Sequence, residues 1–239
     1  MLLKGTDDLI KYLGRAVNAS TTDDFLMPYI QQAQEEILER AIGDALVRQV
    51  DDYYNLVPAE PALTEQQTAD CRQILPRMQK VVAWFGYLKY LPFAIGSDGD
   101  NGLQETGTDN TSSVRIGVLD KRIRESERNA ASALETLLVF LESQPDRFSA
   151  YHESSTARET RQLLVPSATV MSEFLPIIDS NYRLFLNLRP YIRLAERDYI
   201  LSKLGKAQYD ALKTKLRDKT ALSADEAQLL YFVRRALSH

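Results

Sequence analysis

Apolar positions return at helical spacing along almost the whole chain. Behind a polar run at 20–24, Phe25, Tyr29, Ile30, Ala33, Ile37, Leu38, Ala41 and Ile42 fall at i, i+3 and i+4, which draws one stripe along one helix. Pro28 fits the first turn of that helix, where a missing N–H does no harm, and Gly43 reads as its C-cap. A short helix over 7–13, capped by Thr6, comes before it, and another over 44–54 follows. Residues 55–61 form a connector. Thr64 then caps a helix over 65–91 that Pro76 kinks and Pro92 ends. Gly, Asp, Asn, Ser and Thr dominate 95–113, which reads as the longest loop; 113–118 is the best candidate for a strand. A long helix over 119–142 carries charges early and Ala133, Leu134, Leu137, Leu138 and Leu141 late. Short helices and turns fill 146–165, and Ser167 caps a helix reaching 174. Helices over 182–204, 206–217 and 224–237, the last capped by Ser223, complete an all-α helical bundle with little or no β.

The pattern occurs twice. Pro28-Tyr29-Ile30-x-x-Ala33 returns as Pro190-Tyr191-Ile192-x-x-Ala195, 162 residues on. The same offset joins Ile37 to Tyr199, Leu38 to Ile200, Ile42 to Leu204, Gly43 to Gly205 and Ala45 to Ala207. Both copies continue into a similar triplet, Ala62-Leu63-Thr64 and Ala221-Leu222-Ser223, and then a third apolar helix. Self-similarity of this kind marks a repeated packing unit. Proline fixes the helix entry, the small alanine lets a neighbour approach, and glycine permits the turn. The expected organisation is an N-terminal helical unit over 1–92, an inserted loop and long helix over 93–180, and a C-terminal unit over 181–239 repeating the first, within one compact domain.

Composition narrows the possible functions. Net charge is −4 over 239 residues, with pI near 5.4, and a wholesale nucleic-acid binder would carry a basic excess. One cysteine, Cys71, allows no internal disulfide and suits a reducing compartment. No leader-like start and no apolar run near the ~20 residues that span a bilayer is present. A cytoplasmic product without a membrane anchor is expected.

Candidate chemistry is sparse. His152 and His239 have no ligand partner at i+4, and Cys71, within an amphipathic helix, reads as a structural thiol. Glu35, Glu36, Glu39, Asp51 and Asp52 lie near Arg40 and Arg48 and read as a solvated face. Asp98 and Asp100 match the first two ligand positions of a calcium loop, but Gly102, Leu103 and Asp109 break the rest of it. No catalytic residue, cofactor, metal or small-molecule substrate is expected, so the chain is not read as an enzyme. The candidate contact surface joins Asp98, Asp100 and Asn101 of the loop to Arg115, Lys121, Arg122, Arg124 and Arg128 of the charged helix.

Several stretches carry a resemblance. They are Pro28-Tyr-Ile-x-x-Ala-x-x-x-Ile-x-x-x-x-Ile-Gly43, Ser97-Asp98 with Gly102-Leu-Gln104, Ala133-Leu-Glu-x-Leu-Leu-x-Phe-Leu-Glu142 with Phe148, and Phe185-x-x-Leu-x-Pro-Tyr-Ile192 with Gly205. On these the chain resembles an uncharacterised family of Bacteroidetes phage and prophage virion proteins. Its N-terminal unit is similar to helical head–tail connector (adaptor) proteins, though the chain is longer and carries the motif twice. The resemblance implies a virion structural protein, assembled in the bacterial host cytoplasm. It would pair with copies of itself in a ring and with portal or tail-side proteins, and let DNA pass without specific binding. The alternative is a cytoplasmic helical scaffold or regulatory interaction module.

Overall fold

The computed structural model describes residues 1–14, 23–58, 62–94, 96–99, 102–105, 116–144, 146–178, 181–218 and 220–239. The fold is all-α. In order come α1 (Thr6–Leu13), α2 (Asp23–Ala33), a π-helical turn (Gln34–Leu38), α3 (Glu39–Ile42), α4 (Asp44–Tyr54) and α5 (Glu65–Tyr90). A hairpin of β1 (Gly96–Gly99) and β2 (Gly102–Glu105) leads to α6 (Ile116–Glu142). Then follow α7 (Ser149–His152), α8 (Ser155–Arg161), α9 (Ala168–Ser172), α10 (Tyr182–Ala195), a second π turn (Glu196–Ile200), α11 (Leu201–Leu204), α12 (Lys206–Arg217) and α13 (Ala224–Ser238). The chain divides into two compact units, Met1–Tyr151 and His152–His239. The division falls inside the segment that the sequence pattern set between its two copies, and it leaves α6 with the first unit.

In the first unit α5 is the central element. It packs on α2 along one side and on α6 along another, burying Ile74, Met78, Val81 and Val82 against Ile30, Ala33, Leu137 and Leu138. Its start is a capping box: Thr64 Oγ1 accepts the Gln67 N–H, and the Gln67 side chain accepts the Thr64 N–H. The helix runs through Pro76, whose ring lies on the exposed side, and tightens into a 3₁₀ turn at Leu91–Phe93. Gly86 is the closest crossing. A Cβ placed there would stand 2.4 Å from Ile30 Cδ1 and 2.9 Å from its Cα, so only glycine lets α2 come this near.

The second unit has two small cores. One joins Leu163, Val165, Ala168, Met171, Ile178, Phe185 and Ile192; the other joins Leu164, Leu230 and Val233. Ser167, Asn181 and Ser223 cap α9, α10 and α13 through their side-chain oxygens.

Four local expectations change. Residues 96–99 and 102–105, read as loop, form an antiparallel ladder in which Gly99 pairs with Gly102 and Asp98 with Leu103. Gly, Ser and Asp are poor strand formers, so nothing in the pattern announced it. The strand expected over 113–118 is absent where described, because α6 already starts at Ile116. The N-cap of α1 is Gly5, not Thr6, and α9 ends at Ser172. Finally, Pro28 and Pro190 are not at helix entries: each lies inside its helix, six residues before a π turn.

Candidate functional site

The repeat is deeper in three dimensions than in sequence. The Leu2 N–H donates to Gln34 Oε1 (3.1 Å) and the Leu164 N–H donates to Glu196 Oε1 (2.5 Å). Donors and acceptors are both 162 residues apart. Leu2, Leu3, Leu164 and Val165 are all fully buried, and α1 and α9 begin at the same offset, at Thr6 and Ala168. Each copy therefore bonds a buried backbone N–H to the first residue of its π-helical stretch.

From there the copies run in parallel. The helix opens into one π turn, at Gln34–Leu38 or Glu196–Ile200. Such turns are rare, single insertions in α-helices, and two at one offset make a shared structural signature. The helix then stops at Gly43 (φ 90°) or Gly205 (φ 78°), a backbone that favours glycine, and the next helix starts on the following residue. The α4 and α12 ends match too: Val57 N–H bonds the Asp52 carbonyl and Thr220 N–H the Lys215 carbonyl, both at 2.9 Å. Capping boxes at Thr64 and Ser223 open the third helix of each copy.

The polar centre of the turn differs. In copy one the acceptor under Leu2 is neutral Gln34. In copy two it is Glu196, 1% exposed, whose Oε2 also accepts from Tyr209 Oη (2.9 Å) and Lys213 Nζ (3.0 Å). Burial opposes the Lys213 charge, yet hydrogen bonds to Tyr209 and Glu196 outweigh it and the ammonium is held above its ordinary value. Burial, with the bond to Glu196, pushes the Tyr209 hydroxyl up. The position of Lys213 is held in copy one by Asp51, which accepts the terminal ammonium of Met1 at 2.7 Å. Both turns thus carry one side-chain acceptor, half-buried in copy one and buried in copy two, and one nearby ion pair, with the charges placed differently.

Two cavities lie within the units. One of about 240 Å³ in the first unit is lined by Val50, Thr64, Asp70, Cys71, Arg147 and Phe148, among others. Asp70 is clamped by Arg147, whose Nε donates at 2.9 Å, and by Gln66 at 2.8 Å. Burial pushes the Cys71 thiol up, which makes it a poor nucleophile. The other cavity, about 460 Å³ in the second unit, is lined by Arg158, Arg161, Gln162, Leu163, Pro166, Leu216 and Arg217. Arg161 donates to the His152 carbonyl and to its ring Nδ1. Among the described residues, no group of three or more His, Cys, Asp or Glu is placed to hold a metal ion, and no helix is long and apolar enough to cross a membrane.

The expected contact residues sit on separate elements. Lys121, Arg122, Arg124 and Arg128 are exposed on the N-terminal turns of α6. Lys121, Arg124 and Arg128 share one face by spacing, Arg128 pairs with Glu125 at 3.1 Å, and Arg122 lies over the Tyr87 ring. Asp98 is in β1; Asp100, Asn101 and Arg115 lie outside the described residues. The solvated carboxylates are partly engaged, with Glu36 bonded to Lys89 at 2.6 Å. That bond and the lysine charge hold the Glu36 carboxyl below its usual value.

The feature that sequence reasoning passed over is an open apolar face on α10. Tyr191 is 69% exposed and Tyr199 70%, with Leu184 and Leu194 also exposed beside them. In copy one the counterparts of Tyr191 and Tyr199, Tyr29 and Ile37, are half-buried, while Gln32, the counterpart of Leu194, is exposed. Tyr29, the twin of Tyr191, stacks on Phe93 (5.4 Å between ring centres) and tilts against Tyr90 (5.7 Å). Ala33, the twin of Ala195, is fully buried.

Residues 38–161, just over half of the chain, match a family of unknown function (DUF6712), and the chain belongs to that family. The matched stretch runs from the end of the first π turn through α8. No curated protein and no solved structure matches the chain.

Proposed function

We propose that the protein is a virion structural subunit of a phage, a head–tail connector (adaptor) or head-completion protein that works through protein–protein surfaces. The observation that carries the reading is the apolar face that Tyr191, Leu194 and Tyr199 leave exposed, where Tyr29, the twin of Tyr191, stacks on Phe93 within the chain. An exposed apolar face on a well-capped helix is costly to leave in water and gains most when a partner covers it. The resemblance of the Pro28–Gly43 stretch to helical connectors supplies the setting. In that setting copies of the chain associate into a ring and contact a portal or tail-side protein. A net charge of −4 suits a surface past which DNA slides, since phosphate binding needs clustered lysine and arginine.

The test is to follow the protein through particle purification by quantitative mass spectrometry and to weigh it in solution by mass photometry. Co-purification with particles at a fixed ratio to other head proteins, together with a defined oligomer, is expected. A strict monomer absent from purified particles would sink the proposal and favour a cytoplasmic helical scaffold or regulatory module.

A further inference from the structure

The larger cavity lies where the two small cores of the second unit part. Buried residues alternate along 163–165: Leu163 and Val165 join one core and Leu164 joins the other. The cavity opens beside Leu163, between Pro166 on that segment and Leu216 on α12. The repeat shows what fills such a place. At the 162 offset, Pro166 and Leu216 stand for Lys4 and Tyr54. In copy one those two residues pack on one another: the Lys4 ammonium lies 4.4 Å from the centre of the Tyr54 ring and donates to the Tyr54 carbonyl at 3.3 Å. Copy two replaces a ring and a long ammonium chain with a short apolar pair. It leaves about 460 Å³, a volume usual for a ligand site.

The walls set the chemistry of the ligand. Arg158 and Arg161 come from the end of α8 and Arg217 from the end of α12, and among the described residues no carboxylate lines the cavity. Two helix C-termini oppose an anion with roughly half a charge each, which three full guanidinium charges outweigh. Arg158 stands 4.0 Å from Glu153, and Arg217 bonds its neighbour Asp218 at 2.8 Å. Both pairs are exposed, and exposed pairs exchange partners at little cost. Arg161 donates to the His152 carbonyl at 3.3 Å and to the His152 ring, fewer bonds than the five donors of a guanidinium can make. Apart from Gln162, no lining side chain can accept a hydrogen bond. A ligand that carried N–H donors inside would lose their bonds to water without replacement. We propose that this cavity binds a single-chain amphipathic carboxylate, its hydrocarbon body between Pro166 and Leu216 and its head among the arginines. A carboxylate head brings acceptors only, and the guanidinium fork matches it. The inference holds whether or not the protein belongs to a particle.

The test titrates the full chain calorimetrically with octanoate, octanol and octylamine in parallel. Saturable one-to-one binding of octanoate is expected, at least tenfold tighter than that of octanol, with no binding of octylamine. Arg158→Gln combined with Arg217→Gln should weaken octanoate at least tenfold. Both side chains are exposed, so the thermal midpoint of this variant should match that of the parent, which separates a lost site from a lost fold. Leu216→Tyr, which restores the ring of copy one, should abolish binding. Absence of saturable octanoate binding would overturn the proposal. So would equal affinity for octanoate and octanol, or binding unmoved by the arginine changes, because uptake would then follow from apolar surface alone. A leucine-terminated peptide that binds more tightly than octanoate, and only with its terminal carboxyl free, would overturn it too, since the cavity would then take the chain end of a partner protein.

Discussion

The two copies of the repeat share a turn and differ in what surrounds it. Both carry a buried segment bonded to the π turn, an interior proline, a π turn, a glycine with positive φ and a capped third helix at matching positions. Copy one packs on the rest of α5, which packs in turn on α6, and its half-buried acceptor is neutral. Copy two is left open along α10, and its acceptor is a carboxylate held by a lysine and a tyrosine. Backbone geometry is thus the conserved part of the module. Cover and charge are the parts that differ between the copies.

Truncating the twin isoleucines gives the largest expected effect and the sharpest contrast. Ile30 is fully buried with its backbone against Gly86. Ile30→Ala should cost unit one ~4–5 kcal/mol, the upper end of the range for buried Ile-to-Ala changes, because the enclosed site cannot collapse. Ile192 is also buried, but in a core of only seven residues, so Ile192→Ala should cost less, about 2–3 kcal/mol. The single tryptophan, Trp84, sits in α5 and reports the first unit alone, while amide exchange in α10 and α12 follows the second. Equal losses in the two units would break the comparison.

The next effect probes the charged lock. Glu196→Gln copies the neutral acceptor of copy one but strands Lys213, which is 28% exposed. A cost of ~1–3 kcal/mol to the second unit is expected, the penalty for an unsatisfied, partly buried charge. Adding Lys213→Met should restore most of it, as apolar replacement of a buried pair often does. If the double variant is no more stable than Glu196→Gln alone, measured by urea unfolding, the lysine is not what the glutamate holds. Smaller and equal effects belong to the hinges. Gly43→Ala and Gly205→Ala should each cost ~1–2 kcal/mol for placing a side chain at positive φ. An added Cβ at Gly205 meets nothing within 4 Å, so backbone strain is its whole cost. A clear inequality in the unfolding free energies of the two variants would show that the hinges are not equivalent.

Much of this fold could be read from the sequence, and the reasons are local. Periodicity, Thr64, Ser223 and the glycines at 43 and 205 marked helices and breaks, because capping and positive φ depend on the residue itself. The pairing of Leu2 with Gln34 and of Leu164 with Glu196 was hidden, since apolar segments pair through backbone N–H groups that carry no side-chain signature. Glu196 did leave a trace: a polar residue at the offset of Gln34, inside an apolar stripe. The prolines misled because the helix continues through them, and no residue type announces a π turn. The hairpin at Gly96–Glu105 was missed because its residues are poor strand formers. Among the candidate contact residues, the charges on α6 are exposed as a charged helix face implies. The open α10 face was invisible for a different reason. Tyr191, Leu194 and Tyr199 are apolar positions in a helical pattern, and their exposure depends on packing that periodicity does not carry.

Alkaline titration separates the copies most finely. In the first unit the Tyr54 hydroxyl donates to Asp8 Oδ2 at 2.6 Å, and burial, reinforced by that bond and the nearby carboxylate charge, pushes it up from 10.0 to about 12. The folded state therefore keeps a proton that the unfolded chain gives up. The stability tied to this proton is fully present below pH 10 and is lost as pH rises from about 10 to about 12. Tyr54→Phe removes the titration, so the fall in unit-one stability over that window, followed by Trp84 fluorescence, should be shallower than in the parent. The counterpart of Tyr54 in copy two is Leu216, which does not titrate. The second unit loses stability in alkali through other groups, Tyr209 and Lys213, both raised, and so over a window that opens at their ordinary values. Its slope, followed by amide exchange or by a tryptophan placed in α12, should be unchanged by Tyr54→Phe. If the substitution leaves the Trp84 slope as steep as before, the bond to Asp8 does not hold that proton, and alkaline behaviour no longer distinguishes the two copies.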